Sequence, residues 1–405
     1  MTNKIPISEI LSQEISCWKA KLETIAPPDE IGTRLFDAVG IFDQFKSNYS
    51  DFFLANLSKI TAPPDWLFFR IEQTLLEYWE PIKRAARDYF DYPELIKNGS
   101  RELEQYKQML EITRNIPAIL YFDKVPRAVR LPFGPLFFIG IPLTDAYRGE
   151  WTAIPHELGH QVYWNSIFMI NNSRVMPYQQ QTARFENLIP TPKEEVFADL
   201  IEEVVAQPEW SQDRRQELKT ALGQWSEEIF AEALGTLIAG KKFVDFAWQK
   251  VSYYVKRVED ADTNDGKHPK PYLLPFIRQC AQENPPDLRT YLQEAQERIF
   301  GGKEINNSEM DLLKALASMI GKLSNITNTL QPIIPSGYNP FERLREELPD
   351  DSTIIEKLLQ PIILTDALTW TCACPADNNV CVDMCVNGVH TIPAGWLIFR
   401  PLVCG

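Results

Sequence analysis

Residues 151–160 read Trp151-Thr152-Ala153-Ile154-Pro155-His156-Glu157-Leu158-Gly159-His160. The segment predicts a helix over about 151–166, placed after a strand-like stretch. In a helix, residues four apart share a face, so His156 and His160 point together, as two nitrogen ligands of one ion must. Glu157 is displaced by one residue and lies beside such an ion rather than on it. There it can hold and deprotonate a water bound at the metal. The chain has only four histidines, and two of them fall in this motif. Gly159 leaves room inside it for close backbone approach.

Upstream, the runs Ala118-Ile119-Leu120-Tyr121-Phe122 and Leu136-Phe137-Phe138-Ile139-Gly140-Ile141 are rich in aromatic and β-branched residues and read as short strands. The segment Leu136 to Leu143 that holds the second could be an edge strand that takes an extended peptide by strand addition, or a strand in the core; pattern alone does not separate the two. Residues 1–113 read as helical. Pro81 should kink or divide the apolar-rich stretch 66–89, and Ser100 is a plausible N-cap for a helix ending near Arg114. Downstream, the polar stretch 171–193 reads as a loop or insertion. Helices are expected over 193–206, 212–223, 226–240 and 244–258, and again over 272–300 and 308–329. A Pro-rich linker at 332–340 and a helix at 352–359 precede a cysteine-rich end. The expected fold is α+β and mostly helical, with a small sheet in a catalytic core. Its regions are a helical N-terminal part (1–115), the core (116–300), a helical C-terminal part (301–365) and the tail (366–405).

A chain of 405 residues is too long for one ordinary core. Its formal net charge of -14 argues against nucleic-acid backbones and anionic membranes as partners. No stretch approaches the roughly 20 apolar residues that span a bilayer, and the first residues lack a signal-like apolar run. A cytoplasmic location is the expectation, with oligomeric state open. Of seven cysteines, Cys17 and Cys280 are isolated and expected to stay unpaired. Cys372, Cys374, Cys381 and Cys385, with Cys404, crowd the end and could hold a second metal, form disulfides or remain free thiols. His390 follows Cys385 by five residues.

With His156-Glu157-Leu158-Gly159-His160 in place, the chain resembles the zincin metallopeptidases, and among them the gluzincins. The likeness covers residues 116–280. It implies Zn2+ as cofactor, a peptide or protein substrate, and a third ligand on a later helix: a Glu followed four residues on by an acidic residue. Two segments fit, Glu228-Ile229-Phe230-Ala231-Glu232 and Glu195-Val196-Phe197-Ala198-Asp199. A metal-binding Glu must be inside. The helix near Glu195 carries a broad acidic face, whereas Ala233-Leu234-Gly235-Thr236-Leu237-Ile238-Ala239-Gly240 after Glu232 is apolar or small all round. Burial therefore favours Glu228, with Glu195 as the alternative. Gly235, seven residues after Glu228, would let the motif helix pack close. Glu232 would hydrogen-bond a ligand histidine from behind; Asp199 is its counterpart in the alternative, and is the residue type the family more often has there.

The family also uses a His or Tyr donor for the oxyanion of the tetrahedral intermediate. His268, followed by Pro269 and by Arg278 ten residues on, is the candidate, and Tyr272 the second. The expectation is thus a zinc metallopeptidase with Glu157 as general base. A catalytically silent binding or regulatory protein of zincin-like fold, or a hydrolase acting on a non-peptide bond, remain as alternatives.

Overall fold

The computed structural model describes residues 7–25, 29–57, 65–114, 118–130, 137–170, 173–175, 197–254, 268–282, 286–298, 307–327 and 331–332. The chain divides into two compact units, Met1–Pro349 and Asp350–Gly405, and every described residue belongs to the first. Expectations placed on Glu195, on most of the 171–193 stretch, on the helix at 352–359 and on the tail cysteines fall outside the described residues.

Helices lead the chain: α1 (Ile7–Glu23), α2 (Glu30–Leu57), α3 (Asp65–Asp91), α4 (Pro93–Lys107) and the short α5 (Glu111–Arg114). Strands β1 (Ala118–Asp123), β2 (Arg127–Arg130) and β3 (Phe137–Pro142) follow, then α6 (Leu143–Arg148) and α7 (Ala153–Asn165). After β4 (Ser166–Ile170) and β5 (Ser173–Val175) come α8 (Ala198–Val205), α9 (Gln212–Ala239), α10 (Lys241–Tyr254), α11 (Leu273–Ala281), α12 (Leu288–Arg298) and α13 (Asn307–Thr327). The two-residue β6 (Gln331–Pro332) pairs with β4. The fold is α+β and mostly helical, as expected.

Several local expectations change. Pro81 does not divide the third helix, which runs from Asp65 to Asp91. A proline in a helix interior costs about 3 kcal/mol. Burial of Trp79, Ile82, Ala85 and Ala86 around it offsets that, and the Trp79 indole donates to Glu14 of α1 at 2.8 Å. Ser100 caps nothing: α4 starts at Pro93, a residue suited to a first helical position, and Ser100 lies in its interior. The two helices expected over 212–240 are one, because Gly223 falls where the flanking Leu222 and Trp225 are buried and packing overrides its weak helix propensity. Cys280 is free and buried, but Cys17 is disulfide-bonded; spacing along a chain does not reveal which thiols meet.

The sheet nearest the motif has the order β1-β3-β2, with β1 parallel and β2 antiparallel to β3. Leu120 pairs with Ile139, and Ala128 pairs with the same residue from the other side. The run read as a possible edge strand is therefore the central one, which corrects the strand-addition idea for it. Its residues Phe137 to Ile141 are buried on both faces, as a near-continuous apolar run requires. The carboxylate of Asp88 on α3 accepts the Phe122 N–H at 2.7 Å and ties the N-terminal helices to β1.

Candidate metal centre

The site is made where α7 crosses α9. Pro155 sits in the first turn of α7, where its missing N–H is no loss. Leu158, Val162 and Tyr163 are buried on α7, as are Ile229, Phe230, Ala231, Ala233 and Leu234 on α9. Tyr163, Phe197 and Phe230 form a ring cluster with centroids 5.6–6.1 Å apart, joining the start of α8 to the crossing.

Glycine sets the distance between the two helices. A Cβ on Gly159 would stand 2.5 Å from Ala231 Cα and 2.6 Å from its carbonyl oxygen. One on Gly235 would stand 3.1 Å from the backbone of Pro155 and His156. The contact at Gly159 is with backbone, which cannot swing aside. Gly159→Ala is expected to destabilise the protein by about 1–3 kcal/mol, with the overlap forcing the helices apart. The same displacement should cost metal uptake. Thermal melting together with metal titration of the variant checks both, and a variant with unchanged melting would contradict the close crossing.

This crossing brings His156, His160 and Glu228 together. The two Nε2 atoms lie 3.1 Å apart. His156 Nε2 is 3.4 Å from Glu228 Oε2, and His160 Nε2 is 3.5 Å from Glu228 Oε1. Tetrahedral coordination with metal–nitrogen bonds near 2.0–2.1 Å places ligand atoms about 3.3 Å apart, so the three groups fit one small cation. Glu157 is buried, and its carboxylate is within 4.8 Å of a ring nitrogen of each histidine. The buried group His156, Glu157 and His160 can hold a metal ion. Of the two glutamates, Glu228 faces both Nε2 atoms, while Glu157 follows His156 by one residue and sits off that face.

Each histidine has a carboxylate at its other nitrogen. His156 Nδ1 is 3.1 Å from Glu232 Oε1. Arg278 grips Glu232 with both Nε (2.5 Å) and an η-nitrogen (3.1 Å), donates to the Phe243 carbonyl at 2.9 Å, and lies over the Phe243 ring. Both partners of this ion pair are buried. His160 Nδ1 donates to Glu227 Oε1 at 3.0 Å. Such outer carboxylates fix a ring's orientation and raise its basicity toward a metal.

The electrostatics follow from these contacts. Burial alone would lower His156, but Glu232 and Glu228 outweigh it and push its pKa up to about 9. Burial also works against protonated His160, and Glu228, Glu227 and Glu157 hold it well above the ordinary histidine range. Burial would raise the Glu228 carboxyl, yet the two histidines carry it well below the usual carboxylate range. In Glu232 the same burial is overcome by Arg278 and His156. The pocket is thus built for positive charge, and a cation binding there takes the place of protons.

His268 reaches the site from the loop before α11. Its Nε2 lies 3.5 Å from Glu228 Oε1, and its side chain is 60% exposed. Tyr272, the other candidate donor, is buried, and its hydroxyl bonds Glu309 of α13. Lys270 contacts the same carboxylate at 3.2 Å, so Glu309 anchors the segment that carries His268. Asp199 is exposed on α8. Glu195 and the four tail cysteines Cys372, Cys374, Cys381 and Cys385 lie outside the described residues.

Glu227 was not singled out from sequence. The signal was present, since it directly precedes Glu228 at the start of the buried half of α9, but only the packing of α9 on α7 brings it to His160. Fold and site together define a mostly helical protein with a buried His–Glu–His group that can hold a metal ion. Comparison of the chain with protein-family models, with curated proteins and with solved structures finds no match. No helix among the described residues is long and apolar enough to cross a membrane.

Proposed function

We propose that the chain is a zinc-dependent hydrolase that cleaves peptide bonds, with Glu157 as its general base. The observation that carries this is the convergence of His156 Nε2, His160 Nε2 and the Glu228 carboxylate, with separations of 3.1, 3.4 and 3.5 Å. His156, His160 and Glu228 would hold the ion. Two imidazoles and one carboxylate suit zinc, and three protein ligands leave a position open, as catalytic rather than structural zinc sites do. Zinc bound there supplies a Lewis acid that polarises a carbonyl and makes a water acidic. Glu157 would accept a proton from a water as the water oxygen bonds to the carbonyl carbon, and would return that proton to the amine nitrogen as the C–N bond breaks. His268, exposed and 3.5 Å from Glu228 Oε1, would donate a hydrogen bond to the oxyanion. Glu232 and Arg278 keep His156 in position during these steps. The peptide as substrate follows the resemblance to gluzincins carried by residues 156–160 and 228–232.

Metal analysis of ligand variants tests the assignment. Glu228→Ala should lose most of its zinc, because two histidines alone make a weak and incomplete site. Glu195→Ala should keep one ion per chain. The reverse pattern would move the third ligand to Glu195.

A further inference from the structure

The two histidine arms are built differently. His156 leans on Glu232, which is buried and clamped by Arg278. His160 leans on Glu227, whose side chain is 22% exposed. The oxygen of Glu227 that accepts from His160 Nδ1 at 3.0 Å also accepts from Trp164 Nε1 at 2.9 Å. Trp164 stands one helical turn beyond His160, and its ring stacks on the imidazole, with centroids 5.6 Å apart and planes at 28°. One carboxylate oxygen therefore receives two N–H donors from the same face of α7, and the indole covers the imidazole it is bonded beside.

Resting on the metal-centre reading above, we infer that Glu227 and Trp164 are a positioning pair for His160. A carboxylate oxygen has room for two donors, and filling both fixes its place. With Glu227 fixed, Nδ1–H of His160 is fixed, and Nε2 is turned toward His156 and Glu228. A histidine ligand oriented in this way binds metal more tightly. The stacked indole also covers one face of His160, in the arm whose carboxylate is the more exposed of the two. Because that indole lies against a ligand ring, its emission should change when the ring takes up a cation.

The test uses the full chain, stripped of metal and titrated with zinc alone against a competing chelator, with tryptophan emission followed in parallel. Wild type binds with a change in emission. Glu227→Ala is expected to bind roughly 10- to 100-fold more weakly, with the melting temperature of the metal-free protein unchanged. Glu227→Gln keeps an acceptor oxygen for both donors and should recover part of the affinity. Trp164→Phe keeps a stacked ring but removes the N–H. It should bind more weakly than wild type and lose the emission change, which among ten tryptophans assigns that signal to Trp164. Wild-type affinity in Glu227→Ala would overturn the inference while leaving the metal centre intact. So would weakened binding accompanied by an equal loss of metal-free stability with no rescue by Gln, since that marks a purely structural residue. A wild-type chain that takes up no zinc would instead remove the metal-centre reading and this inference with it.

Discussion

Glu157→Gln is expected to take up zinc as the wild type does and to cleave peptides roughly 10²–10⁴-fold more slowly, the span that a positioned general base contributes. Glu157 is 3% exposed, so an isosteric amide fits where the carboxylate was, and helix packing should survive. The amide cannot accept a proton from water. Glu157 sits one residue past His156 and off the face shared by His156, His160 and Glu228, so the ligand set is left whole. Metal content and kcat/KM on a broad peptide library separate the outcomes. A variant as active as wild type would remove Glu157 from the base role. A variant that loses zinc would make it a ligand. A wild-type chain that binds zinc and cleaves no member of the library would point to a binding or regulatory protein.

Arg278→Met should destabilise the fold by roughly 3–5 kcal/mol, because it leaves the Glu232 carboxylate in the interior without its partner. Against the 5–15 kcal/mol that holds an ordinary domain, this is a large share. Arg278 is wholly buried and makes three hydrogen bonds, two to Glu232 and one to the Phe243 carbonyl. Arg278→Lys should restore little, since a point-charge ammonium cannot reproduce the two-pronged grip. Removing both charges in a Glu232→Met, Arg278→Met chain should recover most of the stability, as paired apolar replacements of buried ion pairs often do. Zinc affinity should not recover with it, because His156 has then lost the carboxylate behind its Nδ1. Chemical denaturation and zinc titration of the single and double variants give the cycle. A double variant with wild-type zinc affinity would show that Glu232 contributes nothing to the site beyond its pairing with Arg278.

Much of the site could be read from residue spacing. The i, i+4 spacing of His156 and His160 placed two nitrogens on one face, and α7 presents them so. Gly159 and Gly235 are legible as places of close approach, and each faces backbone of the other helix. The apolar stretch after Glu232 suggested a buried helix, and residues 229–236 of α9 are buried throughout. Arg278 was visible as a residue ten past His268, but not what it grips. Its partner lies 46 residues earlier, a pairing that no local pattern encodes.

Where the sequence misled, a tertiary contact outweighed a local rule. Pro81 stays inside a helix because its neighbours are buried, and Gly223 does not end one for the same reason. Phe137-Phe138-Ile139-Gly140-Ile141 is apolar at nearly every position, which suits a strand covered on both faces; its place between β1 and β2 depends on partners that periodicity cannot name.

The sequence by itself determined that a helix carries two histidines and a glutamate in metal-binding order, because helical period is a local property of the backbone. The resemblance it carries offers two glutamates, Glu228 and Glu195, as candidates for a third ligand. Only the tertiary structure decided which carboxylates stand around those histidines: Glu228 between the Nε2 atoms, Glu232 behind one ring and Glu227 behind the other. That choice depends on the register and angle at which α9 crosses α7. Glycine and alanine backbone set the crossing between segments far apart in the chain, His160 and Glu227 being separated by 67 positions.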